Sequence, residues 1–470
     1  MAQTQNPRMG DGKITRRNFL GRTACLSGAV TMPWIIPASA RGADGSTAPS
    51  ERITVGLSGH GLMGRGHLRR LAGDREVQVL AVCDVDQVRR DAGKQHVEQT
   101  YAARDPSGAY RGCAAYNDYR ELLARDDIDA VVIVTPDHWH SLQAIHAAKA
   151  GKDVYCEKPI SLTIREGREL VETVRRYGRI FQTGTQYRSI PTIRDVCEFV
   201  RTGGLGQVKS VFTLWGKLGS HLGVDSYAPL SFALPAEPVP EGLDWDLWVG
   251  PAAWQPYNNA YHRNPSPGVV PWCFHEDFGA AAVTWYHSHA ADVVQYALGM
   301  ENSGPIELIH PSSGEYPTLT YRYANGTLLH LVDHWGMVKD VYKAVPPNAR
   351  LAGNFGGVFV GERGWVTSMS TGGAIEGGPD ELFDRMKLTT REVNIGDNNH
   401  HANWFDCVRT RRQPSCSEEL GHRSASLGHL TILAYKLQRS LKWDPQREEF
   451  PGDDAANRLL ARARRSPWHA

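Results

Sequence analysis

Neither sign of charge is in surplus. Across 470 residues, 52 Lys and Arg stand against 51 Asp and Glu, a formal net charge of +1. A polyanion binder carries a basic excess on one face, so nucleic acid is not an expected partner. Cysteine is scarce. Cys25, Cys83, Cys113, Cys156, Cys197, Cys273, Cys407 and Cys416 contain no C-x-x-C pair and no metal-ligand spacing, which excludes a disulfide-stapled fold and gives no metal site. They read as reduced or buried thiols, with room for one disulfide after export. Long apolar runs are missing too. Residues 20–36 are interrupted by Gly21, Gly28 and Pro33 and fall short of a bilayer span, so no stable membrane insertion is expected. The remainder, with 41% hydrophobic residues, has the composition of a globular chain of about two or three domains.

Thr15-Arg16-Arg17-Asn18-Phe19-Leu20, the mildly apolar stretch after it and Ala38-Ser39-Ala40 are similar to a twin-arginine export signal ending in a small-x-small cleavage site. On this reading residues 1–40 are a removable leader and 41–51 a linker. The mature chain is expected in the periplasm or otherwise outside the cytoplasm, with the twin-arginine machinery as a partner.

Residues 52–182 alternate strand and helix patterns, as a doubly wound parallel sheet requires. A strand over 53–57 runs into Gly59-His60-Gly61-Leu62-Met63-Gly64, which opens a helix. A second strand over 77–82 ends at Cys83-Asp84. In that context the glycine pattern is a dinucleotide fingerprint. Gly59 permits the tight turn, Gly61 lets backbone approach a pyrophosphate, Gly64 lets the helix pack on the strand, and Leu62 and Met63 begin the helix whose N-terminus faces the phosphates. Asp84 is placed to accept hydrogen bonds from the adenosine ribose. An acid there favours NAD over NADP, although Arg89 and Arg90 keep NADP open. A helix is expected over 116–124 and a strand over 129–134. Thr135-Pro136-Asp137-His138-Trp139-His140 follows, then a helix over 141–150. A strand over 153–156 delivers Glu157-Lys158-Pro159. Ligands bind at the carboxyl ends of such strands, so Thr135, Pro136, His140, Glu157 and Lys158 are cofactor-side candidates.

GHGLMG, CDVD, TPDHWH and EKP, at these distances, resemble the Gfo/Idh/MocA oxidoreductases, which include sugar and inositol dehydrogenases, glucose–fructose oxidoreductase and NAD-dependent glycosidases. Residues 182–189 (QTGTQYRS), 359–365 (FVGERGW) and 441–445 (LKWDP) are similar to a secreted branch of that family. The resemblance covers essentially the whole mature chain. It implies that Lys158 sits by the nicotinamide and the substrate hydroxyl. Burial beside a cationic ring lowers an ammonium pKa, which suits proton exchange with a carbinol.

From residue 183 to 470 the pattern becomes α+β. A helix is expected over 190–202, strands over 208–215, 306–309, 318–323, 327–332 and 357–360, and helices over 400–411, 421–440 and 453–463. The strands would form an open mixed sheet with one face for substrate and the other for a partner subunit, and the resemblance implies a homodimer or homotetramer. Residues 277–298 read as a glycine-containing turn and helix. By the family's spacing His289 takes the place of the histidine that acts on the substrate hydroxyl and Asp292 that of a later acid. Trp285 stands where the family carries an earlier aspartate. Tyr286, at i−3 from His289, and His287 are the stand-ins available. Histidine can relay a proton near neutral pH without that carboxylate. The catalytic set is therefore Lys158 and His289, with Tyr286 as an added candidate. Gln186, Arg188 and His287 are further substrate contacts.

The segment 217–275 is rich in aromatics, among them Trp245, Trp248, Trp254, Tyr257, Tyr261 and Trp272. They would stack on sugar rings or simply pack a long loop. His138, His140, His287 and His289 form two H-x-H pairs, but the hydride chemistry needs no metal, and none is assigned. The expected activity is hydride transfer between a tightly bound NAD, or NADP, and a secondary hydroxyl of a sugar, cyclitol or glycoside. The same first step, followed by elimination and return of the hydride, would give a redox-neutral glycosidase. The lost aspartate also admits an inactive sugar-binding protein on this scaffold.

Overall fold

Short runs rich in β-branched residues pair, in the computed structural model, into a parallel sheet of six strands. They are β1 (Ile53–Ser58), β2 (Val77–Cys83), β3 (Ala114–Tyr116), β4 (Ala130–Ile133), β5 (Asp153–Cys156) and β6 (Phe181–Thr183), in the order β3-β2-β1-β4-β5-β6. Described are residues 51–104, 110–214, 228–263, 272–368 and 374–470, except 286, 395 and 397. The expected leader lies outside them, as do Tyr286 and the side chain of Trp285. The strand order reverses between β1 and β4, which opens a crevice at their carboxyl ends. Central strands are buried on both faces, as Ala130, Val131, Val132 and Ile133 all are in β4.

Local chemistry sets the helix ends around the crevice. The Asp86 carboxylate accepts the N–H groups of Val88 and Arg89 at 2.9 and 3.3 Å and starts Gln87–Ala102. Thr163 caps Ile164–Tyr177, which stops at Gly178 with φ of 60°. Where a helix is expected over 116–124, Tyr116 instead ends β3 and the helix is Tyr119–Leu123, because Asp118 caps it through the Arg120 N–H at 2.9 Å. The helix expected from 141 begins at Asp137, directly after Pro136. His138, Trp139 and His140 therefore occupy its first turn.

The second sheet is mixed, in the order β13-β12-β11-β7-β10-β9-β8-β14. Its strands are β7 (Val208–Leu214), β8 (Glu307–Ile309), β9 (Thr320–Arg322), β10 (Leu328–Val332), β11 (Gly357–Gly361), β12 (Gly364–Thr367), β13 (Gly377–Gly378) and β14 (Leu441–Lys442). Residues alternate between its faces with period two. Val211, Leu329 and Phe359 join the core beneath the helices Pro191–Arg201, His287–Ala297 and Glu418–Leu437. Phe212, Val332 and Val358 point the other way. That second face, expected to meet a partner subunit, is covered in part by the chain's own Trp335, Val338, Tyr342 and Val345.

Two further helices differ from the sequence pattern. The stretch 277–298 forms Ala281–Trp285 and His287–Ala297, the first opening at Ala281 with φ of 61°. The C-terminal helix is only Asp454–Asn457 plus a 3-10 turn, because the Asn457 amide folds back on the N–H and C=O of Phe450, each at 2.8 Å. The late helix His400–Thr410 returns to the parallel sheet, where Trp404, Phe405 and Cys407 pack with Val55, Val79 and Tyr155. The core thus crosses the 182/183 boundary drawn from sequence. All seven described cysteines are unpaired and buried. Among the described residues no helix is long and apolar enough to cross a membrane.

Candidate functional site

The cleft forms where the glycine turn meets the ends of β4 and β5. Gly59 has φ of 95°, and a Cβ there would run into the Val134 carbonyl. A Cβ on Gly64 would run into the Gly59 carbonyl. Gly61 differs, since a Cβ there would find only Arg89 Nη1 at 3.7 Å. The first and third glycines are demanded by the protein's own packing, and the second borders open space. The following helix has no side-chain cap and no acid in its first turn, so its N–H groups are left to a ligand. Leu62 and Met63, 63% and 46% exposed, lie on the same rim. Asp84 lines the cleft and accepts the His60 N–H at 2.7 Å and the Asp86 N–H at 3.0 Å. Arg90 is committed elsewhere, to the Asp84 carbonyl at 2.6 Å and Asn117 at 3.1 Å.

Thr135, Pro136, Asp137, His140, Glu157 and Lys158 line the middle of this cavity of about 430 Å³, a size typical of small-molecule sites. His140 Nδ1 lies 2.7 Å from the Pro159 carbonyl, and the Lys158–Pro159 bond is cis. Burial pushes the Lys158 ammonium below the ordinary lysine range, opposed by Glu157 and Asp137. Burial would raise Glu157, but the hydrogen bond from His67 and the charges around it bring it to about 2. Burial raises Asp137 to about 7 against the pull of Lys158. The sequence reading passed over Asp137. Its position at a strand end beside Lys158 was the available signal, but its second partner, the Ala280 N–H at 3.4 Å, lies 143 residues away.

Gln186 and His289 close the cavity from the other side, with Tyr187 and Phe355. The His289 ring sits 4.5 Å from that of Tyr187 and 5.3 Å from that of Phe355, centre to centre. Burial holds its pKa well below the usual histidine range, and the charge of Lys158 adds to this, so the ring is neutral at pH 7. Among the described residues, five buried polar atoms on this cleft, Thr135 Oγ1, His140 Nε2, Gln186 Oε1, His262 Nε2 and His289 Nδ1, have no hydrogen-bond partner. Buried polar atoms are generally paired, so this set on one cavity wall marks a place where a polar ligand completes the bonding.

Two sequence candidates are not brought to the cleft. Arg188 is bound to Asp292 at 2.7 and 2.8 Å and to Glu301 at 2.9 Å, with side chains 5%, 0% and 12% exposed. Four of its five N–H groups are taken, counting one to the Ser415 carbonyl at 2.7 Å, and it does not line the cavity, so it is a structural brace behind His289. His287 is fully buried and does not line the cavity. Nor do the H-x-H pairs build a metal site, since His138 turns its ring nitrogens to the carbonyls of Trp248 and Phe278 at 2.9 and 3.2 Å. Among the described residues no group of three or more His, Cys, Asp or Glu is arranged to hold a metal.

The described part of the aromatic segment runs across the nucleotide end of the cleft. Asp244 N–H bonds to the Val85 carbonyl at 3.0 Å, Gln87 N–H to that of Gly242 at 2.9 Å, Asn117 to Asp244 at 2.9 Å, and Arg89 to the His262 carbonyl at 3.1 Å. Leu247, Trp248, His262 and Trp272 thereby line the cavity opposite Asp84. Trp245, Tyr257 and Tyr261 pack among themselves beneath it, the loop-packing alternative for those three. The glycine cradle, the uncapped helix and the enclosing strap together fit a dinucleotide.

Comparison with known proteins agrees. A model of the Gfo/Idh/MocA oxidoreductase family's NAD-binding Rossmann fold matches residues 53–185, and one of its C-terminal alpha/beta domain matches 226–348 and 377–470. An alpha-N-acetylgalactosaminidase of Shewanella oneidensis is 36% identical over 177 residues, 35% of this chain and 37% of that protein. A glycosyl hydrolase family 109 protein of Shewanella pealeana is 34% identical over 176 residues, 35% of this chain and 38% of that one. These matches span well under half of either relative. Among solved structures, the aldose-aldose oxidoreductase of Caulobacter crescentus, complexed with glycerol, is 17% identical with a TM-score of 0.50, covering 83% of this chain and 99% of that one. The WlbA dehydrogenase of Bordetella pertussis, in complex with NADH and UDP-GlcNAcA, is 17% identical with a TM-score of 0.51 over 83% and 98%. At that identity these two share the fold. Both halves of the chain match models of one family, and the protein belongs to the Gfo/Idh/MocA oxidoreductases.

Proposed function

We propose that this protein is an exported NAD-dependent enzyme whose reaction begins by oxidising a secondary hydroxyl of a sugar, cyclitol or glycoside. The observation that carries the reading is the set of unpartnered polar atoms, Thr135 Oγ1, His140 Nε2, Gln186 Oε1, His262 Nε2 and His289 Nδ1, around the cavity that also holds Lys158. A bound nicotinamide supplies a hydride acceptor at its C4. Lys158, with its pKa lowered by burial, takes the hydroxyl proton as the carbinol C–H leaves as hydride. His289, neutral with Nδ1 open, accepts a hydrogen bond from the hydroxyl or shares its proton. Gln186 orients a neighbouring hydroxyl, and Tyr187 and Phe355 pack against His289. The strap over the nucleotide end supports a retained cofactor. The leader with Arg16, Arg17 and Ala38-Ser39-Ala40 supports loading in the cytoplasm before export.

A second reading, a redox-neutral glycosidase, is favoured by the relatives named as glycosidases. In that reading oxidation at C3 acidifies the C2 hydrogen, the C1 substituent leaves by elimination, water adds, and the hydride returns. A retained cofactor suits it, since no second substrate is needed. The test incubates purified protein with free sugars and aryl glycosides. Absorbance appearing at 340 nm supports a net dehydrogenase, and phenol release without it supports the glycosidase. Both signals should vanish in Lys158→Ala. Sugar binding with neither signal would overturn the enzymatic reading in favour of a binding protein.

A further inference from the structure

Behind the cleft, His67 and Arg70 of one helix and His401, 331 residues beyond Arg70, form a hydrogen-bonded line that ends on Glu157. Arg70 Nη1 lies 3.1 Å from His401 Nδ1, His401 Nε2 lies 3.0 Å from His67 Nδ1, and His67 Nε2 lies 3.0 Å from Glu157 Oε1. His67, His401 and Glu157 are 6%, 8% and 4% exposed, whereas Arg70 is at the surface. A guanidinium only donates hydrogen bonds. His401 Nδ1 must therefore accept, its proton is on Nε2, and it donates to His67 Nδ1. His67 in turn carries its proton on Nε2 and donates to Glu157. One surface cation thus fixes both tautomers and points every donor at the carboxylate. The other oxygen of Glu157 accepts the Lys158 N–H at 3.3 Å. His401 is held flat against Tyr155, ring centres 4.7 Å apart at 10°. A Cβ on Gly184 would sit 2.6 Å from Glu157 Oε1, so the carboxylate has little room to turn away.

We propose that Arg70, His401 and His67 are a polarity-locked positioning array that keeps Glu157 ionised beside Lys158 and so sets the protonation of the lysine. The inference rests on Lys158 being the proton-accepting group of the proposed reaction. Glu157 is faced from the cleft by Lys158, His289, His140 and Asp137, and from behind by His67, His400, His401, Tyr155 and Cys156. Lys158 is faced by Glu157, Asp137, Cys273, His140 and His289. Within this set Glu157 and Asp137 oppose the effect of burial on Lys158, and the Glu157 charge depends on the array.

Reversing the anchor tests the array. In Arg70→Glu the surface group accepts, so His401 must donate from Nδ1 and His67 from Nδ1. His67 Nε2 then faces Glu157 as a lone pair, and the carboxyl must take a proton to satisfy it. Histidine-selective 15N NMR, which reads tautomers without any turnover, should show His67 and His401 as Nε2–H in the wild type and in Arg70→Lys, and as Nδ1–H in Arg70→Glu. The acid limb of the kcat/KM profile should move down by about one pH unit in Arg70→Glu and stay in place in Arg70→Lys. Wild-type rings that are Nδ1–H or doubly protonated at pH 7 overturn the proposal. So does an Arg70→Glu profile that superimposes on the wild type. If the tautomers are as stated but Lys158→Ala keeps full activity, the catalytic reading fails, and with it the claim that the array tunes a base.

Discussion

The Arg188 guanidinium grips both carboxylate oxygens of Asp292, at 2.7 and 2.8 Å, on the helix that carries His289. Both side chains are almost fully buried. Removing one partner strands the other charge in the interior, which costs far more than the pair contributes. Arg188→Met should lower stability by about 3–5 kcal/mol, measured as a shift in the urea unfolding midpoint. Arg188→Met combined with Asp292→Leu should recover part of that loss. An unchanged midpoint in the single variant would contradict the assignment of Arg188 as a brace and return it to the list of substrate contacts.

The two glycines of the turn should separate folding from binding. Gly64→Ala pushes a methyl group into the Gly59 carbonyl and should lower Tm by several degrees. Gly61→Ala meets only Arg89 Nη1 at 3.7 Å, so the apoprotein should melt as the wild type does. Its NAD affinity should nevertheless fall about tenfold or more, or about 1.4 kcal/mol. Equal melting of both variants would show that the turn is looser than described.

Asp137 gives a pH signature. Its pKa is raised by burial from 3.8 to about 7, so the folded state prefers the protonated acid. The stability that comes from holding this proton is fully present below the unfolded pKa and is lost as pH rises through the folded value. Asp137→Asn cannot ionise. Relative to the wild type it should gain about 2–4 kcal/mol between pH 4 and pH 8, read from urea midpoints at the two pH values. A difference that does not change with pH would contradict this burial effect.

The strap makes a kinetic prediction. The Asp244 carboxylate accepts from the Leu247 N–H and from Asn117, both at 2.9 Å, and so ties the strap to the nucleotide half. Asp244→Ala should speed NAD dissociation about tenfold, measured by stopped-flow displacement, while the association rate changes less.

The features legible in sequence were those whose cause is local. The glycine turn, its flanking strand and helix, and the EKP tripeptide each need only neighbouring residues, and the structure gathers Gly59, Asp84, Lys158, Gln186 and His289 around one cavity. What escaped depends on distant partners. Arg188 reads as a polar pocket residue until Asp292, 104 residues on, takes two of its three nitrogens. His67 and His401 are separated by 334 residues, and neither carries any local mark of the line they form. Trp248 suggests a sugar platform by type alone. It takes the bonds of Asp244 to Val85 and Asn117, of Gln87 to Gly242 and of Arg89 to His262 to show that its segment lies over the nucleotide end.

The central claim is that this cleft holds NAD for hydride chemistry, and a direct binding titration tests it. Trp139, Trp248 and Trp272 all line the cavity, so NAD added to stripped apoprotein should quench tryptophan fluorescence in a saturable curve with one site per chain. Gly61→Ala should displace that curve to about tenfold higher NAD. Protein that folds normally yet shows no saturable response, and releases no dinucleotide when denatured, would contradict the account.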